Sequence, residues 1–506
     1  MASSAASVAR GSLILVLGGA LAAPINLVAL AFLARTLAPQ EMGALFAFDT
    51  IAHLFALASD PGLSTTVTTY SAEGIGRGRN VSGLIRRVIS IGVVLSSVVA
   101  FAVLVAGAAL FEITLGIRVS AELLLILCAY VFLISLAPYV SGPLIGFEDF
   151  KFMKLAYATS VAVGQTAAVG LVLAGFGVFG VLLGWALGSL MCLIVGVFAL
   201  LRDLGKCSSL PPFAPTYREL VKFSLPLCAS DIVEYGSKWF DRILVLAALP
   251  IEKLAVYSMA YSIYSTASGL PAAVSEALLP HFAKSYGRHG MSLLKAESED
   301  AARYVAVIFT PLFMGLAAVS GAAISLFAGP GYSDGAVVLA ILCVFGAIAL
   351  PRSGFTSVFS VVKETRVYVV AAMAASIGGV LTGLILSTPF DIVGIAVARG
   401  IALFAAYAVE LWSLKVILSA RLRASSMVRI LSCGAIMAIA VFGVERIAHG
   451  VQFLGVYLVT GILAYALLVR QMRLLRKRDF DVTRELLAHR FGRLVDFIEK
   501  AVLPAR

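Results

Sequence analysis

Apolar runs of about 20 residues recur along almost the whole chain, and each is long enough to cross a hydrocarbon core roughly 30 Å thick. A run of this kind leaves little choice of structure. In lipid the backbone must satisfy its own hydrogen bonds, so each run is expected to be helical. The alternating segments of about ten residues that mark a membrane barrel do not occur. The residues are 60% hydrophobic and only 13% charged, with a mean hydropathy of +0.99. A soluble domain is excluded, and the expected class is an all-α polytopic membrane protein.

The pattern predicts about fourteen spans, at 12–35, 43–69, 88–111, 121–146, 155–176, 179–201, 220–249, 254–282, 303–328, 336–362, 367–388, 392–416, 428–447 and 453–471. The N-terminus runs into the first span without a convincing cleavage site, so it is read as a helix and not as a removed signal. Charge supports the count. With a cytoplasmic N-terminus, the outer side receives only Arg35, Arg118, Lys253 and Arg446. Lys238, Arg242, Arg352 and Arg399 lie within spans, and the other 31 of the 39 Lys and Arg fall on the cytoplasmic side. One miscounted helix would invert every later loop and destroy this bias. The net charge of +11 is therefore read as topology and not as a nucleic-acid footprint. Cys128, Cys192, Cys207, Cys228, Cys343 and Cys433 show no metal or CxxC spacing and are expected as small core residues. No cofactor is expected.

The sequence repeats. LAPQEMGALFAF and ALPIEKLAVYSM pair Pro39 with Pro250, Glu41 with Glu252 and Phe46 with Tyr257. The same offset pairs Gly76 with Gly287 and Arg77 with Arg288. GVFGVLLGWALG resembles DIVGIAVARGIA at nearly that offset. The expected organisation is a six-helix bundle at 1–201, a cytoplasmic linker at 202–219 and a second six-helix bundle at 220–417. The two bundles have the same orientation and a pseudo-twofold relation. Helices 13–14 at 428–471 and a basic amphipathic tail at 472–506 follow. Transporters built from such repeats hold substrate between the halves and rock about it.

Charges inside spans mark bundle interiors or watery cavities, because a charge at mid-bilayer costs roughly 2.5–3.5 kcal/mol on insertion scales. Asp231, Glu234, Lys238, Asp241 and Arg242 fall within an arc of about 100° on span 7. Glu234 and Lys238 stand in the favourable i,i+4 order. Asp49, His53 and Asp60 share one face of span 2, while Arg399 and Glu410 share one of span 12. Glu276 and Arg352 add single charges. The intramembrane acids outnumber the bases, which favours a hydrated cavity over closed internal ion pairs alone. Ser262, Ser265, Ser268, Ser275, Tyr257, Tyr261 and Tyr264 of span 8 suit sugar hydroxyls and rings. They also suit ordinary helix packing.

LARTLAPQEMGALFAF followed by DPGLSTTVTTYSAEGIGRGR resembles the opening of the Wzx-type oligosaccharide flippases, a branch of the polysaccharide transport family within the MOP exporter superfamily. Pro39, Glu41, Gly43, Asp60, Gly62 and Leu63 match that pattern, and Ala38 stands where the family often has Gly. WFDRILVLAALPIEKLAVYSMAYSI resembles its seventh-helix Asp-Arg motif. The resemblance implies flipping of a polyprenyl-pyrophosphate-linked oligosaccharide from the cytoplasmic to the outer leaflet of a bacterial or archaeal plasma membrane. Both termini would be cytoplasmic. Lys238, Arg242, Arg352 and Arg399 are then candidates for holding the pyrophosphate. Asp49, Asp60, Asp231, Glu234 and Glu276 are candidates for coupling to a proton or sodium gradient. The implied partners are the lipid-linked oligosaccharide, membrane lipids, a polymerase and glycosyltransferases, with no nucleic acid. Two other classes stay open: a cation-coupled multidrug or metabolite antiporter of the same superfamily, and a membrane polysaccharide polymerase or ligase. The short outer loops and the lack of a nucleotide-binding motif weigh against an enzyme.

Overall fold

In a computed structural model of the chain, the residues described are 23–115, 119–207, 209–213, 215–420, 422–448, 450–472 and 474. The start of the expected first span and nearly all of the expected tail helix lie outside them. Apart from connecting turns and loops, the described residues are helical. Their one extended pairing is an isolated parallel bridge between Asn80 and Pro212, two residues in the connections that precede residues 82 and 217.

The helices are α1 (Ala23–Thr36), α2 (Pro39–Ala58), α3 (Leu63–Gly76), α4 (Ser82–Leu115), α5 (Ala121–Gly146), α6 (Phe150–Leu173), α7 (Gly177–Lys206), α8 (Tyr217–Ala248) and α9 (Ile251–His289). There follow α10 (Met291–Ala318), α11 (Ser320–Phe327), α12 (Gly335–Ala349), α13 (Arg352–Phe355), α14 (Val358–Val361), α15 (Arg366–Leu418), α16 (Ala424–Ile447) and α17 (Leu454–Gln471). Among these residues, 10 helical stretches are long and apolar enough to cross a membrane. The all-helical membrane class holds, and the structure establishes ten such stretches where the sequence predicts about fourteen spans. Two expected spans merge in α15, with a break at Asp391 (φ 54°, ψ −141°). Span 2, expected as one helix, breaks between α2 and α3. The expected loop 283–302 is helix apart from Gly290, whose φ of 70° ends α9 and starts α10.

The break in span 2 has a clear local cause. Asp60 Oδ1 accepts the backbone N–H groups of Leu63 at 2.8 Å and Ser64 at 3.1 Å, capping α3. Gly62 takes φ 75°, and a Cβ there would lie 2.5 Å from the Ser224 carbonyl oxygen of α8. Two helix starts are alike. α2 starts at Pro39 with Glu41 accepting the Ala38 N–H at 2.9 Å, and α9 starts just after Pro250 with Glu252 in its first turn.

The chain forms two compact units. The first comprises the described residues up to Ser262, with Phe327–Tyr332 and Ala372–Ala398. Within it α5 packs against α2, α3, α4 and α7, and α6 lies along α7. Without a hydrophobic drive between helices in lipid, close approach of small residues takes over. A Cβ on Gly184 or Gly188 would come within 2.5 Å of the α6 backbone at Ala168 or Ser160. The second unit comprises Ile263–Leu326, Ser333–Ala371 and the described residues from Arg399 onward. There α10 is central, packed on α12, α13, α16 and α17. All six cysteines are free.

Candidate functional site

Tyr235, Trp239 and Arg242 stand four and three residues apart on α8, so one face of the helix carries all three. The Arg242 guanidinium carbon is 4.3 Å from the Trp239 ring centre and 4.4 Å from that of Tyr261 on α9. Each cation–π contact contributes about 0.5–2 kcal/mol, more as water is excluded. The stack continues on both sides. His53 of α2 lies 4.7 Å from Trp239, Tyr235 lies 5.8 Å from it, and Tyr257 lies 6.4 Å from Tyr261.

Asp241, the sequence neighbour of Arg242, is fully buried. It accepts the Tyr257 hydroxyl at 2.8 Å and the Arg242 backbone N–H at 2.9 Å. Asp241 therefore fastens α8 to α9. Arg242 Nε is buried without a hydrogen-bond partner among the described residues. A guanidinium carries five N–H donors. Here its faces are held by rings while donor capacity remains.

Across from this stack, Asp49 of α2 accepts the Tyr130 hydroxyl of α5 at 3.1 Å. His53 Nδ1 lies 2.9 Å from the Asp49 carbonyl and 3.3 Å from its carboxylate. Both are acceptors, which assigns the hydrogen to Nδ1. The charge of Arg242 bears on both Asp49 and His53. Trp185 stands 6.0 Å from Tyr130, and its Nε1 is buried without a partner among the described residues.

The other expected site residues divide between the two units. In the first, Lys238 pairs with Glu234 at 2.5 Å, and both side chains are more than half exposed. Such a pair contributes little and exchanges readily. Asp231 feels the charges of Asp60 and Glu234, so these three acids form a loose anionic group, with Asp60 already engaged in capping α3. In the second unit, Arg352 meets the fully buried Glu410 through Nε–Oε2 and Nη2–Oε1 contacts of 2.8 Å each. The Thr356 hydroxyl also donates to Glu410 Oε2, at 2.9 Å, so that oxygen accepts from both Arg352 and Thr356. Arg399 is buried on α15, and Glu276 is exposed on α9. The charge stripe of α8 thus separates into a fastening acid, a stacked arginine, an exposed pair and Asp231 beside Asp60.

The aromatic frame was only partly legible. Tyr257 and Tyr261 stood out among the residues of span 8. Tyr130, Trp185, Tyr235 and Trp239 did not. The spacing of Tyr235, Trp239 and Arg242 was the available signal.

The sequence matches a family model described as polysaccharide biosynthesis protein over residues 8–286. No curated protein matches it. Solved structures do match in fold. The lipid II flippase MurJ, in an inward closed conformation, aligns with a TM-score of 0.59 at 17% identity, over 92% of this chain and 97% of that one. An inward-facing multidrug resistance MATE family transporter of the MOP superfamily aligns with a TM-score of 0.61 at 18% identity, over 78% and 94%. A MOP superfamily transporter from Pyrococcus furiosus, described by a binding pocket of reversed polarity, aligns with a TM-score of 0.58 at 16% identity, over 81% and 96%. At these identities the likeness is one of fold.

Proposed function

Because the chain belongs to the polysaccharide biosynthesis protein family, we propose that it flips a polyprenyl-pyrophosphate-linked oligosaccharide from the cytoplasmic to the outer leaflet of a plasma membrane. It is a multi-pass membrane transporter with a MOP-type fold, and not an enzyme. The proposed product feeds assembly of an O-antigen, exopolysaccharide or capsule, with glycosyltransferases upstream and a polymerase downstream. The proposed topology has fourteen crossings with both termini in the cytoplasm. It retains two six-helix repeats at 1–201 and 220–417 joined by the linker 202–219, helices 13–14 at 428–471 and the tail 472–506. Alternating access is the mechanism that such a repeat supports.

The observation that carries this reading is the stacked arginine. A polyprenyl tail can stay in lipid, but the pyrophosphate needs a polar path with cations along it. Arg242 has its faces held by Trp239 and Tyr261, with Nε unbonded among the described residues. Charge-assisted bonds to phosphate oxygens suit those donors. Lys238 is close by in sequence on the same helix, in a pair that is easily exchanged. Arg352 is committed to Glu410, which favours a structural part for it. Asp49 and His53 are the favoured candidates for ion coupling, since proton relays in membranes are built from such residues.

A second reading, a cation-coupled antiporter for drugs or metabolites, draws on the acids around Asp231 and on the MATE-like fold. Purified protein in liposomes separates the two. A fluorescent polyprenyl-pyrophosphate oligosaccharide should cross only when the protein is present. Export of cationic dyes without lipid-linked sugar movement would replace the first reading with the second.

A further inference from the structure

α10 carries a proline, Pro311, in its interior. Proline has no backbone N–H, so the carbonyl four residues back, that of Val307, loses its helical donor. In lipid an unmet carbonyl is costly, and neighbouring helices make good what the ladder lacks. Here α17 does so. The Tyr465 hydroxyl donates to the Val307 carbonyl at 2.8 Å, and both residues are buried. One side chain from another helix thus closes the gap that Pro311 leaves.

The two sides of the gap are fastened to different neighbours. Before it, α10 lies against α13, where a Cβ on Gly354 would come 2.4 Å from the Ala302 nitrogen. From Thr310 onward it lies against α16, where a Cβ on Gly434 would come 2.4 Å from Thr310 Cγ2 and 3.0 Å from Met314 Cγ. Just past the end of α17, the Leu474 carbonyl accepts from Arg303 Nη1 at 3.2 Å. The first part of α10 is therefore held from the α17 side by two polar contacts. The second part is held by α16 through close apolar packing.

The surroundings leave room for a shift. A crevice of about 110 Å³ opens beside Ala306 and Thr310, with Ala347, Tyr407, Met427 and Ile430 among its walls. Thr310 is fully buried, and its hydroxyl has no hydrogen-bond partner among the described residues. Helical threonines usually return that hydroxyl to the carbonyl four residues back, as Thr50 does to Phe46 at 2.7 Å. One polar group beside Pro311 is thus left unmade in this conformation, a cost that another setting of the helix can relieve. Met314, Met427, Met437 and Met472 belong to the cluster that packs α10 on α16 and α17, and thioether side chains repack readily.

We propose that Thr310–Pro311 is a joint in α10 and that the Tyr465 hydroxyl is the latch that holds it. Breaking that one hydrogen bond lets the two parts of α10 shift, each with its own neighbour, into the space beside Ala306. Joints of a few residues between well-packed parts are what conformational cycles turn on. Tyr465 is a positioning residue and touches no substrate. The inference rests on the chain being a transporter, and on no particular substrate.

Hydrogen–deuterium exchange of the full-length protein in nanodiscs tests it, because exchange reads local opening. Y465F keeps the ring and loses the hydroxyl. Exchange of the α10 amides at 308–315 should speed up about fivefold, the size of one net hydrogen bond, while 291–302, α16 and α17 keep their protection. P311A returns a backbone donor to Val307, so adding Y465F to it should change the same amides by less than about twofold. The latch is overturned if Y465F leaves exchange at 308–315 unchanged, or speeds it throughout α10, α16 and α17 alike. It is equally overturned if the effect of Y465F is undiminished in P311A. In liposomes, P311A should slow movement of a fluorescent polyprenyl-pyrophosphate oligosaccharide by at least about threefold. A wild-type rate in P311A would overturn the joint's part in transport. If the wild type does not move this lipid, the flippase reading falls and the exchange result still decides the latch.

Discussion

Arg352 and Glu410 meet through two contacts of 2.8 Å, and Glu410 has no exposed surface. The hydrogen bond comes from Nε, a donor that lysine lacks, and the charge of the guanidinium lies against the second oxygen. R352A leaves a buried carboxylate without its cation, a change that costs about 3–5 kcal/mol. We predict a large loss of thermal stability in detergent for R352A, a smaller loss for R352K, and partial recovery in the R352M/E410L pair. Measuring unfolding temperatures of the three variants checks this. A wild-type temperature for R352A would return Arg352 to the list of substrate residues.

Asp60 caps α3 by accepting two backbone N–H groups. Asparagine keeps a capping oxygen without the charge, and alanine keeps neither. Loss of such a cap costs about 0.5–2 kcal/mol. D60N should retain transport and stability, and D60A should lower stability. If D60N abolishes transport while the protein stays folded, the charge itself is needed and Asp60 belongs to ion coupling.

Gly62 combines φ 75° with close contact to the α8 backbone. A Cβ there must displace main chain and not the tip of a flexible side chain. G62A should therefore lower the yield of monodisperse protein sharply, while G78A, where φ is also positive but a Cβ meets nothing within 4 Å, should cost far less. Size-exclusion profiles of the two variants compare them directly.

These residues also show how much the sequence disclosed. Apolar runs identified the class, and the charge stripe of α8 marked the helix that carries the stacked arginine. The break at Asp60-Pro61-Gly62 was missed because the apolar run continues through it, although Pro and Gly beside an acid are the usual signs of a turn. The break at Asp391 falls where the sequence pattern predicts a boundary between spans, within one continuous helical stretch. What no periodicity carries is pairing over distance. Tyr130 reaches Asp49 across 81 positions, and Arg352 reaches Glu410 across 58. Helical spacing says which side chains share a face, and says nothing about which face receives them.

His53 is the member of the first unit's polar cluster whose ordinary titration falls between pH 5 and 8. It contacts Asp49 and stacks on Trp239, and Tyr130, Tyr235 and Arg242 face the same group. If this cluster carries the coupling proton, flipping rates in liposomes should change with pH between 5 and 8 in the wild type and in Y130F. H53Q should flatten that dependence. An unchanged profile in H53Q would remove the cluster from coupling.

The most direct measurement concerns Arg242. Wild type, R242K and R242A can be reconstituted at equal density and assayed for movement of a fluorescent polyprenyl-pyrophosphate oligosaccharide. Losing charge-assisted bonds to a phosphate costs about 1.5–3 kcal/mol, so R242A should flip at least about tenfold more slowly. R242K, which keeps charge but not the planar stack, should fall between. Flipping by R242A at the wild-type rate, in protein that remains folded, would contradict the account.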